Sequence, residues 1–118
     1  MSLLAALAAC ACGSDQVLSE AGHRGQHVYL NVCIVCHHGD PNRDGTLGPA
    51  IAGSSLELVR AKVLHREYPP GYEPQRTTFL MPAYPFVEEK LPDVVAYLAE
   101  VEAPEARSAR GGTPPARP

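Results

Sequence analysis

The chain has 118 residues, a formal net charge of −3, four cysteines and no tryptophan. This length suits one domain with a small apolar core, and such domains usually need a cross-link or a bound group for stability. Residues 103–118 carry three arginines and one glutamate, a net charge of 3 − 1 = +2, so residues 1–102 carry −3 − 2 = −5. Nothing in this charge distribution favours nucleic-acid binding.

Residues 1–18 predict an export signal followed by a linker. The run Leu3–Cys10 is apolar, too short to span a bilayer, and ends in Leu-Ala-Ala-Cys, which resembles the lipobox of bacterial lipoproteins. Cys10 is therefore the predicted lipidation site. The alternatives are cleavage before Cys12 and a Cys10–Cys12 disulfide, and no Lys or Arg precedes the run, although export signals normally carry one. Each option places the chain in the periplasm or on the outer face of a bacterial membrane.

The first helix is predicted from Glu20 to Val32, with Ser19 as its N-cap. The segment from His38 to Gly53 is rich in Pro, Gly, Asn and Asp and predicts a loop. Asp40, Asn42 and Asp44 alternate as in a calcium-binding loop. The twelfth position counted from Asp40 is Ile51 rather than the required glutamate, so we expect a surface turn.

A second helix is predicted to begin at Ser54 or Ser55, to run to about Arg66, and to be stopped by Pro69-Pro70-Gly71. A last helix is expected from about Val87 or Pro92 to Glu102. No run of alternating β-branched residues indicates a strand, so we predict an all-α fold of three to four helices with long loops. The residues expected in its core are Ile51, Leu56, Val59, Val63, Leu64, Val94, Val95 and Leu98.

The run Cys33-Ile34-Val35-Cys36-His37 is the motif that attaches haem covalently. Two thiols on one helical turn can each add to a haem vinyl group, and the histidine that follows can bind the iron. A thiol redox pair and half of a zinc site have the same Cys spacing. The redox pair expects a preceding strand. Zinc needs two more ligands at paired spacing, and none of the candidates is suitably arranged: His38, His65, Cys10 and Cys12.

Met81 is the only methionine besides Met1 and lies 81 − 37 = 44 residues after His37, in a loop before Pro82. A thioether on the second axial face of a haem raises its reduction potential. Core filling is the usual role of a methionine in a small domain. His65 is the competing iron ligand. We expect His38, which follows His37 directly, not to reach the iron, and we expect His23 and His27 on the surface.

Between about Ser19 and Val101 the chain resembles a small monohaem class I c-type cytochrome. The matching segments are Gly25–Tyr29, the C-x-x-C-H motif, Leu47-Gly48-Pro49, Met81-Pro82 and Leu91–Leu98. The resemblance implies a cytochrome c-like domain over residues 19–102, wrapped around one covalent haem c.

The resemblance also implies the role of each site residue. Cys33 and Cys36 would hold the haem, and His37 and Met81 would bind its iron. The carbonyl of Pro49 would orient His37. Gly25 would pack against the aromatic ring of Tyr97.

The implied function is electron transfer rather than enzyme catalysis, by a monomer that exchanges electrons with a membrane oxidase, reductase or dehydrogenase. Two alternatives keep the haem: a sensor or peroxidase-like protein with an open sixth iron position, and a haem subunit of a larger complex. Five acidic residues predict a negative face on the last helix, either simply solvated or steering a basic partner: Glu88, Glu89, Asp93, Glu100 and Glu102. Residues 103–118 are expected to form a disordered tail.

Overall fold

The computed structural model describes residues 17–77 and 80–110. The export signal and lipidation site predicted around Cys10 lie outside these residues. The described part contains no β-strand, which confirms the all-α class. Its α-helices are α1 (Glu20–Val32), α2 (Leu56–His65), α3 (Leu91–Glu100) and α4 (Pro104–Ala109). None of these helices combines the length and the apolar character needed to cross a membrane.

Helix α1 begins where the sequence predicts, because Ser19 caps it. The Ser19 hydroxyl accepts a hydrogen bond from the backbone N–H of Gly22 at 2.9 Å, which satisfies one of the free amides of the first turn. The backbone N–H of Ser19 donates to the carboxylate of Glu100 at 3.1 Å, and the Ser19 hydroxyl donates to the same carboxylate. The start of α1 is thereby fastened to the last residue of α3.

Helices α1 and α3 cross at Gly25. A Cβ at this position would overlap the carbonyl oxygen of Asp93 and lie 2.9 Å from the Cβ of Tyr97, so only glycine allows the helices to approach this closely. The predicted packing of Gly25 against Tyr97 is therefore confirmed. Arg24 and Asp93 form an ion pair at 2.9 Å beside the crossing, and the rings of Tyr29 and Tyr97 lie 5.5 Å apart within it.

The hydrophobic core extends from this crossing to α2 and to the 3-10 turn Pro85–Lys90 that precedes α3. Of the predicted core residues, Val59, Val94 and Leu98 are buried, and the other five are partly buried against the same cluster. The sequence prediction omitted five buried residues: Val28, Tyr29, Val87, Leu91 and Tyr97. Most of them lie on the two faces that the Gly25 crossing brings together.

Helix α2 is capped by Ser55, whose hydroxyl accepts the backbone N–H of Leu58 at 3.2 Å. It ends at His65 because Arg66 adopts a left-handed conformation with φ 60°. The predicted end at about Arg66 is confirmed to within one residue, and Pro69-Pro70-Gly71 follows this left-handed cap rather than forming it. The backbone N–H of Tyr84 donates to Val63 at 2.7 Å, which brings the segment after Met81 back onto α2.

The loop from His38 to Gly53 has no helix or strand, as predicted. Its Asp40 carboxylate accepts the backbone N–H of Asn42 at 2.9 Å and closes the turn that resembled a calcium loop. The Asn42 side chain reaches across the molecule: its amide donates to the carbonyl of Val101 at 2.8 Å and accepts the N–H of Ala103 at 2.8 Å. The expected surface turn is thus also an attachment point for the end of the chain.

The prediction of a disordered tail is wrong for residues 103–110, while residues 111–118 lie outside the described part. Pro104 suits the first turn of α4, where a missing N–H costs nothing. Arg110 pairs with the carboxylate of Glu102, and Arg107 lies 4.0 Å from it. Glu102 is only 3% exposed, and a carboxylate at this depth is costly unless cations pair with it. Its pairing with the two arginines holds residues 103–110 against the domain.

The prediction of a negative face on the last helix is also wrong for three of its five residues. Glu102 is buried, Glu100 binds the start of α1, and Asp93 pairs with Arg24. Only Glu88 and Glu89, in the 3-10 turn before α3, remain exposed among the five. Most of these carboxylates fasten segments of the chain to one another.

We expect Gly25→Ala to lower the free energy of unfolding by about 1–2 kcal/mol, because the new methyl group forces α1 and α3 apart and this outweighs the better helix propensity of alanine. Urea unfolding followed by circular dichroism measures the change. Gly39→Ala is the matched control, since a Cβ there would lie 3.7 Å from Ile34 in ordinary contact. Equal stability of the two variants would contradict the role given to the crossing.

Candidate functional site

An apolar cavity lies between α1, α2 and α3 and is bordered by the segment that contains Met81. The space between its walls is about 770 Å³, including the part that is open to solvent. Cys33, Cys36, His37 and Met81 all line it. The structure therefore brings together the four side chains that the sequence predicts as haem ligands, although Met81 lies more than forty residues along the chain from the others.

The two cysteines are delivered by the end of α1. A 3-10 turn, Cys33–Val35, continues the helix, and the backbone amides of Cys36 and His37 both donate to the carbonyl of Cys33, at 3.2 and 3.0 Å. Both thiols are free, and burial raises the pKa of Cys33 to about 11. A thiol that stays protonated at neutral pH is a poor nucleophile, which counts against the alternative of a thiol redox pair.

His37 is buried and held by one directed hydrogen bond. Its Nδ1–H donates to the carbonyl of Pro49 at 2.9 Å, the contact predicted between these residues. Burial lowers the pKa of His37; the bond to Pro49 opposes this shift and the positive charge of Arg76 adds to it. The ring is therefore favoured in its neutral form, with the proton on Nδ1 and a lone pair on Nε2 for a metal ion.

Gly48 makes this arrangement possible. A Cβ on Gly48 would lie 2.5 Å from Cε1 of His37, so any other residue would push the ring away. The backbone N–H of Gly48 donates to Cys36 at 2.9 Å, and its carbonyl accepts the N–H of Gly45 at 2.8 Å. The tight loop thus places the Pro49 carbonyl directly beside the imidazole.

Met81, rather than His65, shares the cavity with His37. Met81 and the adjacent Pro82 line it, whereas His65 is exposed at the end of α2 and lines neither this cavity nor its neighbour. His23 and His27 are exposed on α1, as expected, and the side chain of His38 is turned to accept the backbone N–H of Asp40 at 2.9 Å.

A second, more polar cavity adjoins the first, and Cys36, His37 and Met81 line both. Lys62 lines both as well, and its ammonium lies 4.2 Å from the ring centre of Tyr68. Arg76 lines the second cavity, where its guanidinium donates to Gly45 at 3.4 Å.

Sequence analysis missed this basic edge of the site. The one available signal was Lys62, a charged residue three positions after Val59 on the apolar face of α2.

No family model, curated protein or solved structure matches this chain. Evidence on the chemistry of the site therefore comes from its geometry.

The donor set favours a flat apolar group bound through soft and imidazole ligands over a bare metal ion. Within the described residues 17–77 and 80–110, no group of three or more His, Cys, Asp or Glu side chains is placed to hold a metal ion. The lining of the first cavity in this part of the chain includes no carboxylate. The residue types present are those that would hold a haem: apolar walls beside its ring, two thiols to attach it, and an imidazole and a thioether to bind its iron.

We expect Gly48→Ala to lower the free energy of unfolding by about 1–3 kcal/mol, because its methyl group displaces the His37 ring and separates Nδ1 from the Pro49 carbonyl. Chemical denaturation of the protein as isolated measures this loss. Thr46→Ala, in the exposed part of the same loop, should stay within about 0.5 kcal/mol of the unchanged protein. A Gly48→Ala protein as stable as the Thr46→Ala protein would show that the ring does not depend on this glycine.

Proposed function

We propose that this chain is an exported electron carrier with one covalent haem c in a cytochrome c-like fold. The observation that carries the proposal is the convergence of two thiols, an imidazole and a thioether on one largely apolar cavity. When bound, the haem supplies a one-electron ferric–ferrous couple.

Each ligand has a separate task in this proposal. Cys33 and Cys36 would hold the haem covalently, and His37 and Met81 would bind its iron. The Pro49 carbonyl holds the proton of His37 on Nδ1, which leaves the Nε2 lone pair available to a metal ion and would strengthen the imidazole as a donor. The apolar walls exclude water, which favours the less charged ferrous state, and the thioether ligand acts in the same direction.

The basic edge of the site suits the two carboxylate side chains of a haem. Lys62 and Arg76 supply two positive charges in the second cavity, next to the residues that it shares with the first. Charge-assisted hydrogen bonds to these cations would reduce the cost of bringing the carboxylates close to the apolar cavity.

An electron carrier is favoured over a peroxidase or a gas sensor by two features. With His37 and Met81 both bound to the iron, no position would be open to dioxygen or peroxide. Cleavage of peroxide also benefits from an acid or base near the iron, and within the described residues no carboxylate lines the cavity.

Visible spectroscopy of the protein made with haem-attachment machinery tests the proposal. We expect a sharp c-type spectrum on reduction, a methionine-to-iron band in the ferric form, and no spectral change with carbon monoxide. Met81→Ala should keep the haem and bind carbon monoxide readily, because it removes the sixth ligand without touching the cysteines.

Phe86→Ala is the matched control, since this exposed side chain lines neither cavity and its loss should leave the iron closed to carbon monoxide. Rapid binding of carbon monoxide by the unchanged protein would favour the sensor or peroxidase alternative. Absence of haem would overturn the proposal, and copurification in a fixed ratio with a larger enzyme would favour the subunit alternative.

The predicted lipobox extends the proposal to location and partners. A lipid on Cys10 would confine a monomeric carrier to the membrane surface, where its effective concentration near membrane oxidases, reductases or dehydrogenases is raised. We expect Cys10→Ser to move the haem protein from the membrane fraction to the soluble exported fraction, as measured by haem staining of both. Cys12→Ser should leave it in membranes; release by Cys12→Ser alone would contradict lipidation at Cys10.

A further inference from the structure

The loop that orients His37 is fastened at both ends. The carbonyl of Pro41 accepts the backbone amides of Ile51 and Ala52, each at 2.9 Å, and so closes the loop on itself. Near its start, Asn42 binds the backbone of Val101 and Ala103 after α3. At its end, Gly53 donates its N–H to Leu98 at 2.8 Å. Contacts with the C-terminal part of the chain therefore hold the loop in position.

Arg110 adds a fastening that joins the last residue of the described chain to this loop. Its guanidinium donates to the carbonyl of Gly53 at 3.2 Å and pairs with the Glu102 carboxylate. Gly53 has φ +73°, and a Cβ there would lie 2.5 Å from Oε1 of Glu102. A glycine at this position therefore tolerates both the left-handed backbone and the close approach of the ion pair. We call Gly53, Glu102 and Arg110 together the C-terminal clasp.

The burial of Glu102 makes its carboxylate depend on the guanidinium groups of the clasp and its surroundings. This side chain is 3% exposed, and its Oε1 has no hydrogen-bond partner among the described residues, so its charge depends on the guanidinium groups beside Oε2. Arg107 is committed elsewhere as well, since it donates to the carbonyl of Ala99 at 3.0 Å. Loss of Arg110 would leave the carboxylate buried with a single more distant cation, which strongly favours movement of this region.

We propose that Arg110 is a positioning residue for His37, acting through Gly53 and the loop that carries Pro49. This inference rests on the proposed role of His37 as an iron ligand. With the clasp closed, the Pro49 carbonyl holds the Nδ1–H of His37 and increases electron donation from its imidazole. With the clasp open, this hydrogen bond lengthens, donation falls, and the ferric state loses stabilisation relative to the ferrous state.

The chain contains a matched control for a broken ion pair. Arg24 and Asp93 form a similar contact at 2.9 Å between α1 and α3, and neither residue lies in the loop or in the clasp. Arg24→Gln should change the stability of the fold without changing the environment of His37. A comparison with Arg110→Gln separates a positioning role from a general loss of stability.

The experiment uses the full haem-loaded chain and measures the ferric-to-ferrous ratio at one applied potential, together with the urea midpoint. We expect Arg110→Gln to lower this ratio at least about threefold, where tenfold corresponds to ~59 mV for one electron. Arg24→Gln should keep the ratio of the unchanged protein, and Arg110→Lys, which keeps the charge beside Glu102, should restore most of it.

Glu102→Gln protects the test against misfolding, because it opens the ion pair without leaving a buried charge. It should shift the ratio in the same direction as Arg110→Gln. An unchanged or raised ratio in both variants overturns the role of the clasp, as does an equal shift in Arg24→Gln. Absence of covalent haem in the unchanged protein overturns the proposed function itself and is detected before any variant is compared.

Discussion

Helix α1 meets the backbone of α3 at Gly25, where any side chain would overlap the carbonyl of Asp93. The separation of these two helices sets the width of the cavity, because α1 ends in the cysteines and α3 supplies Leu91, Val94 and Leu98 to the opposite wall. Helix α2 and the segment around Met81 then cover a space whose dimensions are already determined. A local contact between two backbones thus controls the distance between groups that are far apart in sequence.

The net charge of the chain does not show where its charged side chains lie or what they bind. The acidic side chains of the last helix and its surroundings fasten the chain internally, through Arg24, Ser19 and Arg110. The cavity holds a neutral-favoured imidazole and a protonated thiol, with its cations confined to one edge. The polar interactions therefore surround an uncharged centre, and less negative charge is available at the surface than the composition indicates.

The sequence predicted what local patterns encode. Ser19 and Ser55 mark helix starts because capping acts within three residues, and the C-x-x-C-H spacing brings its ligands together within one turn. Met81 was a candidate because it is the lone methionine of the domain and precedes Pro82, but the preference for it over His65 and the role of Pro49 followed from the family resemblance. The clasp escaped prediction because its pairs join residues up to 57 positions apart, and a glutamate or arginine bears no local mark of whether it will be buried. Arg76 escaped prediction for the same reason, whereas Lys62 carried a signal that was missed, its position on the apolar face of α2.

The direction of α1 has a consequence for a tethered protein. This helix begins at Glu20, near the first described residue, and ends at Val32, next to Cys33, and its thirteen residues span about 20 Å. If the chain is tethered through its N-terminus, as proposed, the domain would carry Cys33 and Cys36 at the far end of this helix. The direction of α1 would then turn the cysteines away from the point of attachment.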